Sequence, residues 1–174
     1  MTAVQVIDAA GAVIAAADPA GADLDAVIAK GEALHRVLRP RLPDRYCDYM
    51  RLMIGEGAHV VHLVDGGEVR ALAVWRAYHT TYHDYRCYID DLVTAEQHRS
   101  LGYGATLLNH IVDLAEASGC AVVALDSATH RHRAHAFYDR QGFRKFAYHF
   151  VRPSASAPEA ESLLNLGLTQ SAAD

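Results

Sequence analysis

Apolar positions change period several times along the chain, and each change marks an element. Val4–Asp8 and Ala12–Ala17 are short apolar runs on either side of Ala-Ala-Gly11, which predicts a first strand or a hairpin. Asp23-Leu24-Asp25 opens a helical stretch with Leu24, Val27, Ile28, Leu34, Val37 and Leu38 three to four residues apart, stopped by Pro40. A second helix follows Pro43 and uses Tyr46, Met50, Met53 and Ile54 before Gly55 and Gly57. The period then shortens. Val60–Val64 and Val69–Tyr78 flank Asp65-Gly66-Gly67 and read as two antiparallel strands of a hairpin.

The polar, aromatic stretch His79–Tyr85 reads as a loop, and Cys87–Thr94 as a further strand. Gly104–Ser118 is a helix with Leu107, Leu108, Ile111, Leu114 and Ala115 facing inward, ended by Gly119. Ala121–Leu125 has the continuous apolar character of a strand buried on both faces. A helix over Arg131–Gln141 and a last strand over Phe146–Val151 complete the pattern. From Pro153 the composition turns to Ser, Ala, Pro and Glu, which predicts a loose tail over 152–174, with Ala160–Leu166 able to form a turn or two of helix. Strands and helices in this order predict a single domain over 1–151, an α/β sandwich with a mixed, mostly antiparallel sheet and helices on both faces.

Composition narrows the class. A chain of 174 residues, 51% hydrophobic and 21% charged, fits one globular domain. A net charge of −5 offers no basic field for nucleic acid or an anionic membrane, so neither is an expected partner. The three cysteines, Cys47, Cys87 and Cys120, are far apart and match no metal spacing, which fits reduced thiols. The N-terminal stretch lacks the basic region of a secretory signal, and no run of about 18 apolar residues occurs, so the expected location is the cytoplasm.

The chemistry concentrates in Arg99-Ser100-Leu101-Gly102-Tyr103-Gly104-Ala105, between a strand ending at Thr94 and a helix. Glycines admit positive φ and close backbone approach, and a helix N-terminus presents unpaired N–H groups at the positive end of its dipole. Such a turn holds phosphate, with Arg99 adding a forked cation suited to a pyrophosphate. Taken alone, the same residues also fit a simple tight turn before a surface helix.

The run Arg-x-x-Gly-x-Gly resembles the acetyl-CoA signature of the GNAT acetyltransferase superfamily, and the flanking segments match in order. Tyr88–Thr94 resembles that family's fourth strand, Cys120–Ser127 its fifth, and Arg131–Phe143 its final helix and turn, so that residues 57–151 are covered. The resemblance implies that the fourth and fifth strands splay, with the pantetheine arm of acetyl-CoA lying along Leu92, Val93 and Thr94 as an added strand. It places the pyrophosphate on Arg99, Ser100, Leu101, Gly102, Tyr103, Gly104 and Ala105, mostly through backbone N–H groups. Tyr138 matches the family tyrosine that protonates the departing thiolate; packing with Phe137 and Phe143 is the alternative. Where many members have asparagine seven residues earlier, this chain has Arg131, which reaches either a CoA phosphate or solvent.

Attack on a thioester needs a neutral amine, and an alkylamine near pKa 10.4 is mostly protonated at neutral pH. Strand alternation puts Asp90 on a face with Tyr88, Leu92 and Thr94, with Asp91 pointing the other way. Asp90 is the candidate base, matching an acidic residue of the polyamine and amino-sugar acetyltransferases, or else a group that binds the substrate cation. Tyr78, His79, Tyr82, His83, Asp84 and Tyr85 are candidates for the acceptor pocket. The eleven histidines show no convincing metal spacing, so no metal is expected. The implied activity is acetyl transfer from acetyl-CoA to a primary amine of a small molecule or peptide. A non-catalytic acyl-CoA-binding or regulatory module of the same fold is the alternative, and a homodimer is compatible with the Leu-containing tail.

Overall fold

A computed structural model describes residues 4–17, 24–152 and 154, and the chain divides into two compact units that meet at the Leu125–Asp126 bond. The predicted tail helix at Ala160–Leu166 lies outside the described residues.

In the first unit, the two N-terminal apolar runs form a hairpin of β1 (Val4–Ile7) and β2 (Val13–Ala17). The helical stretch that follows is split into α1 (Leu24–Ala29) and α2 (Glu32–Leu38) at Gly31. The split has a packing reason: a Cβ on Gly31 would lie 2.5 Å from Nε2 of His62 and 2.6 Å from Cδ1 of Leu72. Only a residue without a side chain lets the backbone come this close to the sheet. Next come α3 (Tyr46–Gly55), then the hairpin of β3 (Ala58–Asp65) and β4 (Glu68–Thr80), with Gly66 and Gly67 at φ of 60° and 80° in its turn. β5 (Asp84–Thr94), α4 (Tyr103–Ala117) and β6 (Val122–Leu125) complete the unit.

The strand order is β2-β1-β3-β4-β5-β6; β1–β3 and β5–β6 are parallel and the other pairs antiparallel. Leu24, Ile28, Tyr46 and Met50 of α1 and α3 pack with Val4, Val60, Leu72, Val74 and Val93 on one face of the sheet. On the other face lies α4, which buries Leu107, Leu108, Ile111 and Ala115 and binds β1 through His110 Nε2 to Gln5 Oε1 at 2.8 Å. The sheet is therefore mixed, and both of its faces are covered.

Three local expectations change. His79–Tyr85 is not an overhanging loop: β4 runs to Thr80 and β5 begins at Asp84, so cross-strand pairing absorbs most of this stretch and leaves a three-residue turn. Among the described residues β6 pairs with β5 alone and is half-buried along its length, so the apolar run here marks an edge of the described sheet rather than a central strand. In the second unit, α5 (His132–Arg140) forms as expected, but Phe146–Val151 is not a strand among the described residues, and Phe146, Tyr148 and Phe150 are exposed. Alternation supplies the pattern of a strand, and pairing is what makes one.

Candidate functional site

β5 carries the feature that shapes the site. Its register against β4 slips between Val74 and Trp75: Val74 faces Asp91 while Trp75 faces Ile89, so Asp90 is the extra residue of a β-bulge. A bulge resets alternation. Asp91 and Val93 consequently lie on the same face as Tyr88 and Arg86, the face covered by α1–α3, whereas Leu92 and Thr94 pair with Ala73 and Ala71 on the α4 face. The strict alternation that set Asp90 with Leu92 and Thr94, and Asp91 apart, is corrected by this extra residue. Asp90 and Asp91 both act on the α1–α3 side.

Each carboxylate there is held by arginine. Asp90 Oδ2 accepts from Nε of Arg76 at 2.8 Å, and Asp91 Oδ1 from Nε of Arg39 at 2.6 Å. Nη2 of Arg39 also reaches the carbonyl of Asp90 at 3.3 Å, tying the bulge to the chain just beyond α2. Behind Asp91 lies a buried line that sequence reasoning missed: Asp91 Oδ2 is 3.0 Å from Nε2 of His35, whose Nδ1 is 3.0 Å from the Tyr46 hydroxyl. Burial pushes the Tyr46 phenol up. With Nε2–H donating to Asp91, Nδ1 accepts from Tyr46, and every polar atom of the line is satisfied. A histidine on the apolar stripe of a helix was the available signal, because a buried imidazole needs two partners.

The pairing of β5 with β6 covers only Arg86–Ile89 against Val122–Leu125 and stops at the residue before the bulge. From Asp91 to Thr94, β5 is paired with β4 on one side and, among the described residues, with no strand on the other. Along Leu92–Thr94 the strand edge away from β4 therefore carries no ladder partner among the described residues.

Past Thr94, a short 3-10 turn over Glu96–His98 leads to Arg99, whose Nη1 lies 3.6 Å from Glu96. Ser100 has φ of 66° and Gly102, the N-cap of α4, φ of 93°. Alternating hand in successive residues turns their N–H groups toward one concavity, an anion nest at the positive end of a fifteen-residue helix. A Cβ on Gly102 would meet no heavy atom within 4 Å, so the turn is open on that side. Leu101 is exposed, and the Tyr103 hydroxyl donates to Asp65 Oδ2 at 2.5 Å, which turns its ring toward the β3–β4 turn. Gly104 and Ala105 lie in the first turn of α4, with Ala105 N–H bonded to the Gly102 carbonyl at 2.9 Å. A groove of about 570 Å³ opens between α2, the β3–β4 turn and Ala95–Gln97.

Within the second unit, Arg131 is the N-cap of α5 and Tyr138 lies in that helix. The Tyr138 ring contacts Phe137 at 5.3 Å and Phe143 at 5.9 Å, and its carbonyl accepts from Phe143 N–H at 3.0 Å. Burial raises its pKa and the nearby charge of Arg131 acts against that rise, so the phenol is protonated at neutral pH. All three thiols are pushed up by burial, Cys87 to about 12, and none stands as a ready thiolate nucleophile. Among the described residues, no three His, Cys, Asp or Glu side chains converge as a metal site, and no helix is long and apolar enough to cross a membrane.

A mixed sheet whose last two strands part beside a nest at a helix N-terminus defines an α/β domain with a strand edge and an anion-binding turn side by side. The model of the acetyltransferase (GNAT) family matches residues 30–143, and the chain belongs to that family. It is 43% identical over 67 residues to the uncharacterized N-acetyltransferase YhdJ of Bacillus subtilis (strain 168), a match covering 38% of this chain and 47% of that protein. The chain thus matches about half the length of that curated relative. A putative acetyltransferase from Agrobacterium tumefaciens str. C58 has the same fold, with a TM-score of 0.65 at 25% identity over 80% of this chain and 98% of its own. The aminoglycoside N-acetyltransferase AAC(6')-Iy, solved in complex with CoA, superposes with a TM-score of 0.64 over 74% of this chain and 88% of its own. At 13% identity that likeness speaks for the fold alone.

Proposed function

We propose that this protein transfers an acetyl group from acetyl-CoA to a primary amine of a small molecule or peptide by direct attack. The observation that carries the reading is the splay: β5 leaves β6 at the bulge and runs, with one edge free, into the nest at α4. Leu92–Thr94 would pair with the amide groups of the pantetheine arm, and Arg99–Ala105 would hold the pyrophosphate, with Arg131 a further phosphate contact. The thioester supplies the acetyl group. Backbone N–H groups at the bulge would polarise its carbonyl, and holding amine and thioester in register supplies much of the rate.

Asp90 is the candidate base, acting on the amine directly or through water, and Tyr138 the candidate acid for the leaving thiolate. The raised thiol pKa values argue for direct attack rather than an acyl-cysteine enzyme. One observation favours a second reading, a non-catalytic acyl-CoA-binding module: the Asp90 charge is already compensated by Arg76. The cytoplasm is the proposed location, and a homodimer a compatible state.

Calorimetric titration with acetyl-CoA followed by a thiol-release assay over a panel of amines tests both. Binding with thiol release, lost by about a hundredfold in Tyr138→Phe combined with Asp90→Asn while acetyl-CoA affinity holds, is the result expected of the enzyme. Binding without release from any amine selects the module, and no binding sinks the assignment.

A further inference from the structure

On the sheet face that carries Asp90, β4 and β5 extend past the helices and set Arg76, Tyr78, Arg86 and Tyr88 side by side, with Arg76 paired to Tyr88 and Tyr78 to Arg86 across the strands. The Arg86 guanidinium lies over two rings at once, 4.9 Å from the centroid of Tyr78 and 4.7 Å from that of Tyr88. Its Nε donates to the Tyr78 hydroxyl at 3.0 Å, and its Nη2 donates to the same oxygen. Of five guanidinium N–H groups two are thereby used, and among the described residues the other three meet no carboxylate.

The charges on this face are unequal. Asp90 and Asp91 are each matched by an arginine, Arg76 and Arg39, so neither presents an uncompensated anion to a cationic substrate. Arg86 is a third arginine, and among the described residues no carboxylate lies within ion-pair distance of it. Arg39 and Arg76 are spent on Asp91 and Asp90, and Asp84, at the start of β5, lies 3.4 Å from His79, so Arg86 keeps a positive charge of its own on this face. Stacking between two tyrosines fixes that charge in place, so little side-chain freedom remains to be lost when its open N–H groups meet an acceptor.

We infer that Arg86 anchors an anionic group, a carboxylate or a phosphate, on the acceptor amine. The inference rests on the acetyl-transfer reading and adds to it the substrate class: amines that also carry an acid, such as amino acids, peptides with a free C-terminus or aminoalkyl phosphates. A planar guanidinium bound on one side by a phenol presents its remaining edge as a fork, which fits two oxygens of one acid group. Polyamines and other purely cationic acceptors are disfavoured because Arg86 repels them while Asp90 and Asp91 are already paired with arginines.

Matched pairs of acceptors test this: 4-aminobutyrate against 4-aminobutyramide, lysine against lysinamide, and aminoethyl phosphate against ethanolamine. Each is titrated into the CoA-saturated protein by calorimetry and assayed for thiol release from acetyl-CoA. The acidic member of at least one pair should bind about tenfold to a hundredfold more tightly than its neutral partner. In Arg86→Gln that preference should vanish, with KM for the acid rising by the same factor and the acetyl-CoA affinity and melting temperature unchanged. Arg86→Lys should restore part of it, because it keeps the charge and loses the fork. Equal binding of acid and neutral members in every pair, or a preference that survives Arg86→Gln, overturns the inference. Acetyl-CoA binding is measured first and separately, so a failed anion preference on a protein that binds acetyl-CoA leaves the transferase reading standing. A protein that binds no acetyl-CoA fails that reading instead.

Discussion

Replacing Gly104 by alanine separates what a glycine does for the fold from what it does for a ligand. Gly102 has φ of 93°, so alanine there is strained by about 1–2 kcal/mol even though its Cβ would find open space. For a chain of 174 residues that predicts a fall in melting temperature of about 2–8 °C, and any loss of acetyl-CoA affinity in Gly102→Ala is mixed with loss of structure. Gly104 lies inside the first turn of α4 and has no positive φ, so alanine there should be neutral or gain up to about 1 kcal/mol of helix propensity. Its methyl group would stand beside the N–H groups that the pyrophosphate is proposed to approach. Gly104→Ala should therefore melt at the same temperature or a few degrees higher while binding acetyl-CoA at least tenfold more weakly, about 1.4 kcal/mol. Thermal unfolding by circular dichroism and calorimetric titration on the same sample provide both numbers. An unchanged Kd in Gly104→Ala would refute the reasoning that the nest holds the cofactor.

Two further outcomes are expected on stability. Gly31→Ala puts a methyl group within 3.0 Å of the buried His62 and Leu72 side chains, and overpacking of about 1–3 kcal/mol outweighs the propensity gain of under about 1 kcal/mol; a melting temperature at or above that of the parent would contradict this. His62, whose ring nitrogens have no partner among the described residues, is lowered from 6.5 to about 4, first by burial. Above pH 6.5 both states are neutral; as pH falls toward 4 the unfolded chain takes up the proton first, so stability drops by up to about 3 kcal/mol. His62→Leu should flatten the denaturation midpoint between pH 6.5 and 4, and a variant with the parent's pH slope would count against burial as the cause.

The helices, the β3–β4 hairpin and the α4 nest were legible because each rests on local rules: apolar spacing, glycine at positive φ, a turn between alternating runs. What escaped the sequence depends on pairing. Leu24–Leu38 has one continuous apolar stripe, and only the approach of His62 and Leu72 to Gly31 explains its division into two helices. Phe146–Val151 alternates as a strand does and yet forms no strand among the described residues, while the aromatic stretch at His79–Tyr85 is drawn into strands by cross-strand bonding that its composition conceals. The Asp91–His35–Tyr46 line joins residues 56 and 11 positions apart, a separation at which no spacing rule operates.

The bulge at Asp90 explains why the facing of the proposed site residues on β5 was not legible in the sequence. One inserted residue reverses the facing of everything beyond it, a change that leaves no mark in hydrophobicity because Asp90 and Asp91 are chemically alike. Two consequences follow from that single residue. Strand β5 parts from β6 at this point, freeing the backbone of Leu92–Thr94, and both carboxylates come to the face where Arg39, Arg76 and Arg86 stand. Had alternation continued, Asp91 would be set against α4, among Leu107 and Ile111, and the buried imidazole of His35 would lack its acid. The bulge that parts β5 from β6, the edge proposed for the cofactor, is thus also what sets the charged face proposed for the acceptor, so a residue deleted at the bulge should remove both together.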